Sequence, residues 1–415
     1  MWYGKSTQYS PVGLLLQAGS VRAIQLDRSG RVCGAAVENL ASQMSDSSID
    51  YERAVIAILK RWWRNRLFRG WQVVLGIPSH ELWIHNARLP QVPSEELPQV
   101  ARFEAEERLP YAVDEAELRL IVAGDVKQDG VSKHEVILMA CRKTAIQQQI
   151  QICERAGLVP QAIDTESHAL IRFQQAVDAS EKRTVVLHLG EKLSTVIFAE
   201  GERILFLKYI LVGNYQFDRA IAEELELTEL EARQLRTSVS HAEELNADDD
   251  VHRSVIDAIR SLLETVTNEV EMCLRYCKVT FRGRPAGQLW LSGEGVSSWL
   301  ADYLGDRFGM PVTLCRDTQL DTHLTESLAD QLPRHIGQIV HQSNSTPHGR
   351  SIYPDGAWVV ALGLALRKFS LTTNLYQLAP SVRPKNHQLA AVLAGEASDA
   401  MTPSAGEPPA GVPHD

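Results

Sequence analysis

Val185-Val186-Leu187-His188-Leu189-Gly190-Glu191-Lys192-Leu193-Ser194-Thr195-Val196-Ile197-Phe198-Ala199 reads as strand, tight turn, strand. An apolar run, a short polar segment holding Gly190 and a second apolar run are followed by a further turn at Glu200-Gly201-Glu202-Arg203. The same grammar appears near the N-terminus. There Val12-Gly13-Leu14-Leu15-Leu16 leads through Gln17-Ala18-Gly19-Ser20 into an apolar run at 21–26 and the turn Asp27-Arg28-Ser29-Gly30-Arg31. Two matching hairpins far apart in one chain predict a fold built twice around equivalent turns.

Outward from these hairpins there is room for a large core. A chain of 415 residues carries two to three domains' worth of sequence, and 44% hydrophobic with 23% charged residues is ordinary for a globular protein. A net charge of -10 argues against nucleic acid as a partner and favours proteins or small molecules. Six scattered cysteines form no CxxC pair, and Cys273 and Cys277 lack the further ligands of a zinc pattern, so the thiols are predicted to be structural and the compartment reducing. No apolar run approaches the roughly 18 residues that span a bilayer, and Met1-Trp2-Tyr3-Gly4-Lys5 lacks a signal-peptide core. Any membrane attachment is therefore expected through a partner.

In chain order, a third strand at 31–37 completes a meander. Val55, Ile58, Leu59 and Trp62 then form the stripe of a helix over 51–67, followed by a buried strand at 71–78. Lys60, Arg61, Arg64, Arg66 and Arg69 interleave with tryptophans there, a pattern also found at lipid or nucleic-acid surfaces; a solvated face on a core helix is the favoured reading. A helix with Leu97, Val100, Ala101 and Ala105 on one side follows, then strands at 118–123 and 135–141 around Asp129-Gly130. A helix capped by Thr144 and closed by Gly157 leads to a strand at 160–163.

In the second half, Phe217, Ala220, Ile221 and Leu225 share a helix face, and Thr228 with Glu231 fits a capping box with Leu230 and Leu235 inside. Val255, Ile259, Leu262, Val266, Val270, Cys273 and Cys277 step by three or four along one long helix. A strand at 288–291 enters the turn Gly293-Glu294-Gly295, and a small-residue helix occupies 356–368. Residues 317–353 read as polar loop, and the composition beyond 384 as disorder.

Three stretches add a resemblance. Phe103-Glu104-Ala105-Glu106-Glu107-Arg108-Leu109-Pro110-Tyr111, Ala156-Gly157-Leu158-Val159-Pro160-Gln161-Ala162-Ile163-Asp164 and Ala361-Leu362-Gly363-Leu364-Ala365-Leu366-Arg367 resemble the PilM family of type IV pilus assembly proteins. That family is related to FtsA within the actin-like ATPase superfamily. The resemblance covers about residues 12–368. It implies an α/β, actin-like (ribonuclease H-like) duplicated fold of two lobes with an FtsA/PilM-type inserted subdomain. The implied parts are a first core subdomain (1–90 and 160–183), an insert (91–159), a second core subdomain (184–215 and 286–370), a helical subdomain (216–285) and a tail (371–415).

The superfamily binds ATP and magnesium between its two hairpin turns, with backbone N–H groups on the phosphates and a carboxylate near each turn for the cation. By that resemblance Gly19, Ser20, Gly190, Ser194, Gly293 and Gly295 are nucleotide-site positions. Leu15 and His188 stand where the two carboxylates are expected, and Glu294 stands where glycine is usual. No catalytic residue and no metal ligand is assigned; the resemblance implies ATP with magnesium, and the two absent carboxylates argue against it here.

The family implies a cytoplasmic scaffold, peripheral to the inner membrane, that holds the N-terminal segment of a PilN-like bitopic protein. Other pilus assembly proteins and a second copy of the chain are further candidate partners. Candidate groove residues are Phe103, Leu109, Tyr111, Ile137 and Met139. The alternatives are an ATP-binding, polymerising switch like FtsA and the cytoplasmic module of a type II secretion protein. Asn374-Leu375-Tyr376-Gln377-Leu378-Ala379-Pro380 is similar to the Asn-Leu-Leu-Pro type of segment by which PilN is recognised. The tail is accordingly a candidate occupant of its own groove or a neighbour's.

Overall fold

The computed structural model describes residues 9–28, 30, 32–40, 48–240, 249–281, 285–315, 356–369 and 376–377. Two five-stranded sheets share one connectivity. In the first, β1 (Val12–Leu16), β2 (Ser20–Leu26) and β3 (Val32–Asn39) form an antiparallel meander. Two parallel strands, β4 (Gln72–Ile77) and β8 (Val159–Thr165), extend it to the order β3-β2-β1-β4-β8.

The second sheet repeats this with β9 (Arg183–Leu189), β10 (Ser194–Glu200) and β11 (Arg203–Ile210) as the meander and β12 (Gln288–Gly293) and β13 (Val312–Leu314) as the parallel pair. The hairpin at the centre of the sequence is β9 and β10, with Ser194 opposite Leu189. Both expected hairpins are present. Their strands are buried on both faces, so they read as continuous apolar runs rather than as alternation.

Helices cover the sheets. α1 (Ser48–Arg64) buries Val55, Leu59, Trp62 and Trp63 in one cluster with Leu14, Leu75 and the Ile152, Cys153 and Ala156 face of α3 (Lys143–Ala156). Arg61 pairs with Glu38 at 2.6 Å, so the basic residues of α1 lie on a solvated face. α3 starts at Lys143 without a side-chain cap, and Gly157 closes it at φ 84°. The longest helix, α7 (Asp250–Thr280), buries Val255, Ile259, Val266, Val270, Cys273 and Cys277 in the second lobe, as its periodicity predicts. All six thiols are free; Cys33 is half-buried and the others are buried.

A third sheet, β14-β6-β7-β5, is formed by β5 (Leu82–Pro90), β6 (Ala116–Gln128), β7 (Val131–Arg142) and the two-residue β14 (Tyr376–Gln377). Asp129 and Gly130 join β6 to β7 at φ 52° and 81°, the left-handed pair of a tight hairpin. This sheet moves two expected boundaries. β5 pairs with β7 from Leu82 to Pro90, so the inserted sheet begins nine residues before the predicted start at 91, and Pro90 is the last residue of its first strand. α3 belongs to the first core by its contacts, not to the insert.

Two further helices bind the lobes. α4 (Glu166–Val177) is buried nearly all round, and α9 (Val359–Ala365) packs on it and on β1. Sequence order assigns α9 to the second core subdomain. It instead crosses to the first sheet, where a Cβ on Gly363 would overlap the Ala169 carbonyl and one on Gly13 the Ala361 carbonyl. The expected loop at 317–353 and the tail beyond 384 lie outside the described residues. Among the described residues no helix is long and apolar enough to cross a membrane.

Candidate functional site

The duplication brings the two first hairpin turns face to face across a cleft. The β1–β2 turn carries Gln17 and Gly19, and the β9–β10 turn carries Gly190 and Glu191. The second turn rests on the start of α5 (Asn214–Glu224), where Asn214 N–H donates to the Gly190 carbonyl at 2.9 Å and Tyr215 N–H to the Glu191 carbonyl at 2.8 Å. Those helix-start donors, a common anion cradle, are therefore taken by the protein's own backbone.

Across the cleft the turns are joined directly. The Gly19 N–H donates to the Glu191 carboxylate, and a Cβ on residue 19 would overlap that carboxylate's Oε1. Burial raises the Glu191 carboxyl, an effect reduced by Arg233, Arg22, Lys192 and this N–H.

The third turn closes the cleft. Glu294 follows β12, and its carboxylate accepts from Arg22 Nη2 at 2.8 Å and from Arg233 Nη2 at 2.8 and 3.0 Å. Arg22 projects from β2, and Arg233 from α6 (Glu229–Ser240). Burial alone would raise Glu294, but Arg22, Arg233 and Arg236 outweigh it and hold the carboxyl at about 2. Arg22 also donates to Gln17 Oε1 at 2.8 Å, and Gln17 hydrogen-bonds the buried Glu166 at the start of α4. Burial pushes Glu166 up to about 7, against the hydrogen bonds from Ser79 and Gln17. One polar chain thus runs from α4 through the first hairpin and the third turn to α6.

What space remains is small. The cavity bounded by Leu15, Arg22, His188, Glu191, Arg233 and Glu294 measures about 70 Å³. Small-molecule pockets hold roughly 300–1,000 Å³. His188 is buried, its Nδ1 2.9 Å from Ser292 Oγ, and burial followed by the nearby Arg22 charge lowers its pKa to about 4, so the ring is neutral at pH 7. Leu15 is part of the apolar core with Val360 and Leu364.

Residues 13–293, more than half the chain, match the family described as Type IV pilus assembly protein PilM. The chain belongs to this family. A solved PilM-PilN type IV pilus biogenesis complex is similar at 20% identity, over 88% of this chain and 100% of that one, with a TM-score of 0.65. Ethanolamine utilization protein EutJ from Carboxydothermus hydrogenoformans is similar at 13% identity, over 87% and 90% of the two chains, with a TM-score of 0.48. The two repeated sheets are the actin-like α/β fold of this PilM relative, with the third sheet inserted.

Within the PilM-type frame the expected nucleotide-site residues divide. Gly19, Ser20 and Gly190 lie at the cleft. Ser194 does not offer its hydroxyl there: it donates to the Val212 carbonyl at 2.6 Å. Gly293 and Gly295 adopt φ 125° and 82°, and a Cβ on either would overlap Leu189 backbone or the Arg236 guanidinium, so both serve the tight turn. The charged residues that dominate the cleft, Arg22, Glu191, Arg233 and Arg236, are absent from the sequence-based set. Only Arg22 carried a signal, a charge within the apolar run of β2.

The groove residues divide as well. Phe103, Leu109 and Tyr111 are half-buried at the end of α2 (Leu97–Arg108) and just beyond. The Arg142 guanidinium lies 3.9 Å from the Tyr111 ring centroid, and the Tyr111 hydroxyl is buried without a hydrogen-bond partner among the described residues. Ile137 and Met139 do not belong with them. Both are buried in the core cluster with Ile171 of α4 and Leu207 of β11, because odd-numbered residues of β7 face the core and even-numbered ones face the other side of the sheet.

Proposed function

We propose that this chain is a cytoplasmic scaffold of type IV pilus or related secretion machinery, peripheral to the inner membrane, which receives the N-terminal cytoplasmic segment of a PilN-like partner. Its interlobe cleft is a degenerate nucleotide site. Family membership supports the pilus role, and the solved PilM-PilN complex supports the partner. The observation that carries the scaffold reading over a switch is the Arg22–Glu294–Arg233 network filling the cleft.

These residues do not fit a magnesium nucleotide. Leu15 and His188 offer no carboxylate to a hard cation, and a neutral imidazole prefers softer metals. Glu191 already holds the Gly19 N–H, and Glu294 adds a second carboxylate in a space where phosphate would have to sit. Internal charge pairs hold the lobes together instead.

An extended partner peptide gains main-chain hydrogen bonds and side-chain pockets on such a surface. Phe103, Leu109 and the half-buried Tyr111 ring supply an apolar wall at the insert's edge. The test is fluorescence anisotropy of a labelled peptide from the N-terminus of the PilN-like protein against the full chain. Saturable binding that weakens at least tenfold in Tyr111→Ala supports the reading, a loss on the scale of one interface anchor. A folded chain that does not bind the peptide refutes it.

A further inference from the structure

The third sheet carries a feature that partner binding does not explain. β6 is thirteen residues long, with Leu118, Leu120, Ile121 and Ala123 buried, and β7 takes one of its edges. On the other edge the chain's own Tyr376 and Gln377 pair antiparallel, opposite Leu120 and Arg119. A long apolar strand with a bare edge is a template for foreign strands, and proteins cover such edges.

The position of the covering segment is constrained from its near end. α9 is tied down by Arg172, which donates to the Gly363 carbonyl at 2.6 Å, and Arg367 pairs with the buried Asp164 at 2.7 Å. Tyr376 follows Arg367 by nine residues, a reach of about 30 Å when fully extended. A tether this short gives an effective local concentration on the order of millimolar, so even weak two-residue pairing is populated.

We propose that the outer edge of β6 is a strand-acceptor site whose resident occupant is the chain's own Tyr376–Gln377 segment, and that a foreign extended segment adds here only by displacing it. The ligand class is an extended backbone that pairs antiparallel with residues 118–121. Main-chain pairing supplies the attraction, and the tether sets the threshold an incoming strand must exceed. The inference does not rest on the pilus partner: its probe is the chain's own tail, so failure here leaves the PilN-peptide result standing, and the reverse.

The experiment compares the full-length wild type with the double variant Tyr376→Pro/Gln377→Pro, which removes both N–H groups and forbids ladder pairing. Hydrogen exchange at residues 117–122 is measured together with α7 and β9, which report that the fold is intact. A labelled synthetic peptide of residues 371–382 is then titrated against both proteins. The proposal expects faster exchange at 117–122 in the variant alone, and peptide binding about tenfold tighter to the variant than to wild type, since the tethered competitor is gone. Equal exchange in the two proteins, equal affinity, or no peptide binding to the variant overturns it. Protection at 117–122 that rises with wild-type concentration also overturns it, because the strand would then come from a second copy.

Discussion

Glu294→Gln keeps the size of the side chain at the centre of the cleft and removes its charge, leaving Arg22 and Arg233 without their shared carboxylate. The Glu294 carboxyl is held down from 4.5 to about 2, which corresponds to about 3 kcal/mol at ~1.4 kcal/mol per unit. The side chains of Arg22 and Glu294 are 10% and 17% exposed, whereas Arg233 is 31% exposed, so solvent screening trims the expected loss to about 2–3 kcal/mol at pH 7.

The sign follows from the depressed folded pKa: the stabilisation is complete above pH 4.5 and is lost as pH falls toward 2. Guanidinium unfolding of wild type and variant from pH 7 down to pH 3 therefore shows a gap that narrows with acid. A double-mutant cycle with Arg22→Met returns a coupling of about 1 kcal/mol or more. Equal stability at pH 7, or a gap that stays constant down to pH 3, would falsify the reasoning.

Three other outcomes follow from the same contacts. Gly363→Ala drives a Cβ into the Ala169 carbonyl and is expected to destabilise by about 4 kcal/mol or more, while Gly124→Ala, with open space at its Cβ, stays within about 1 kcal/mol; thermal unfolding separates them. His188 is lowered to about 4, so the unfolded chain binds more protons between pH 6.5 and 4 and stability falls as pH drops through that window. Glu166 acts in the opposite sense over part of that window, so the readout is the difference between wild type and His188→Gln, which flattens the profile by up to about 1.4 kcal/mol per pH unit. Gly19→Ala displaces the Glu191 carboxylate but meets only the flexible end of a side chain, so it speeds hydrogen exchange across the β1–β2 turn and costs about 1–3 kcal/mol without unfolding the lobe.

Much of this architecture is legible in the sequence where burial leaves a period. α7 shows one, both hairpins stand out instead as continuous apolar runs broken by turn residues, and the Thr228–Glu231 capping box forms as its spacing predicts. Leu230, expected inside that helix, is exposed, and Arg236 is buried against Asp218 instead, since a paired charge can take a core-facing position that a periodicity template reserves for leucine. α4 leaves no such signal, for a different reason. It is enclosed by α9 and both sheets, so Glu166, His168, Arg172 and Gln174 are buried beside Leu170 and Phe173, and no polar face marks it as a helix. The cleft was half legible. Leu15, His188 and Glu294, which stand out in the sequence, all line it, but the arginines that answer Glu294 lie 272 and 61 residues away in sequence, a distance that only the fold closes.

The central claim is that charge pairs of the protein itself have taken the place of nucleotide between the lobes. Isothermal titration of the full-length chain with ATP and magnesium tests it most directly. The account predicts no saturable heat under conditions where the PilN-type peptide binds; saturable nucleotide binding to the intact chain would contradict it.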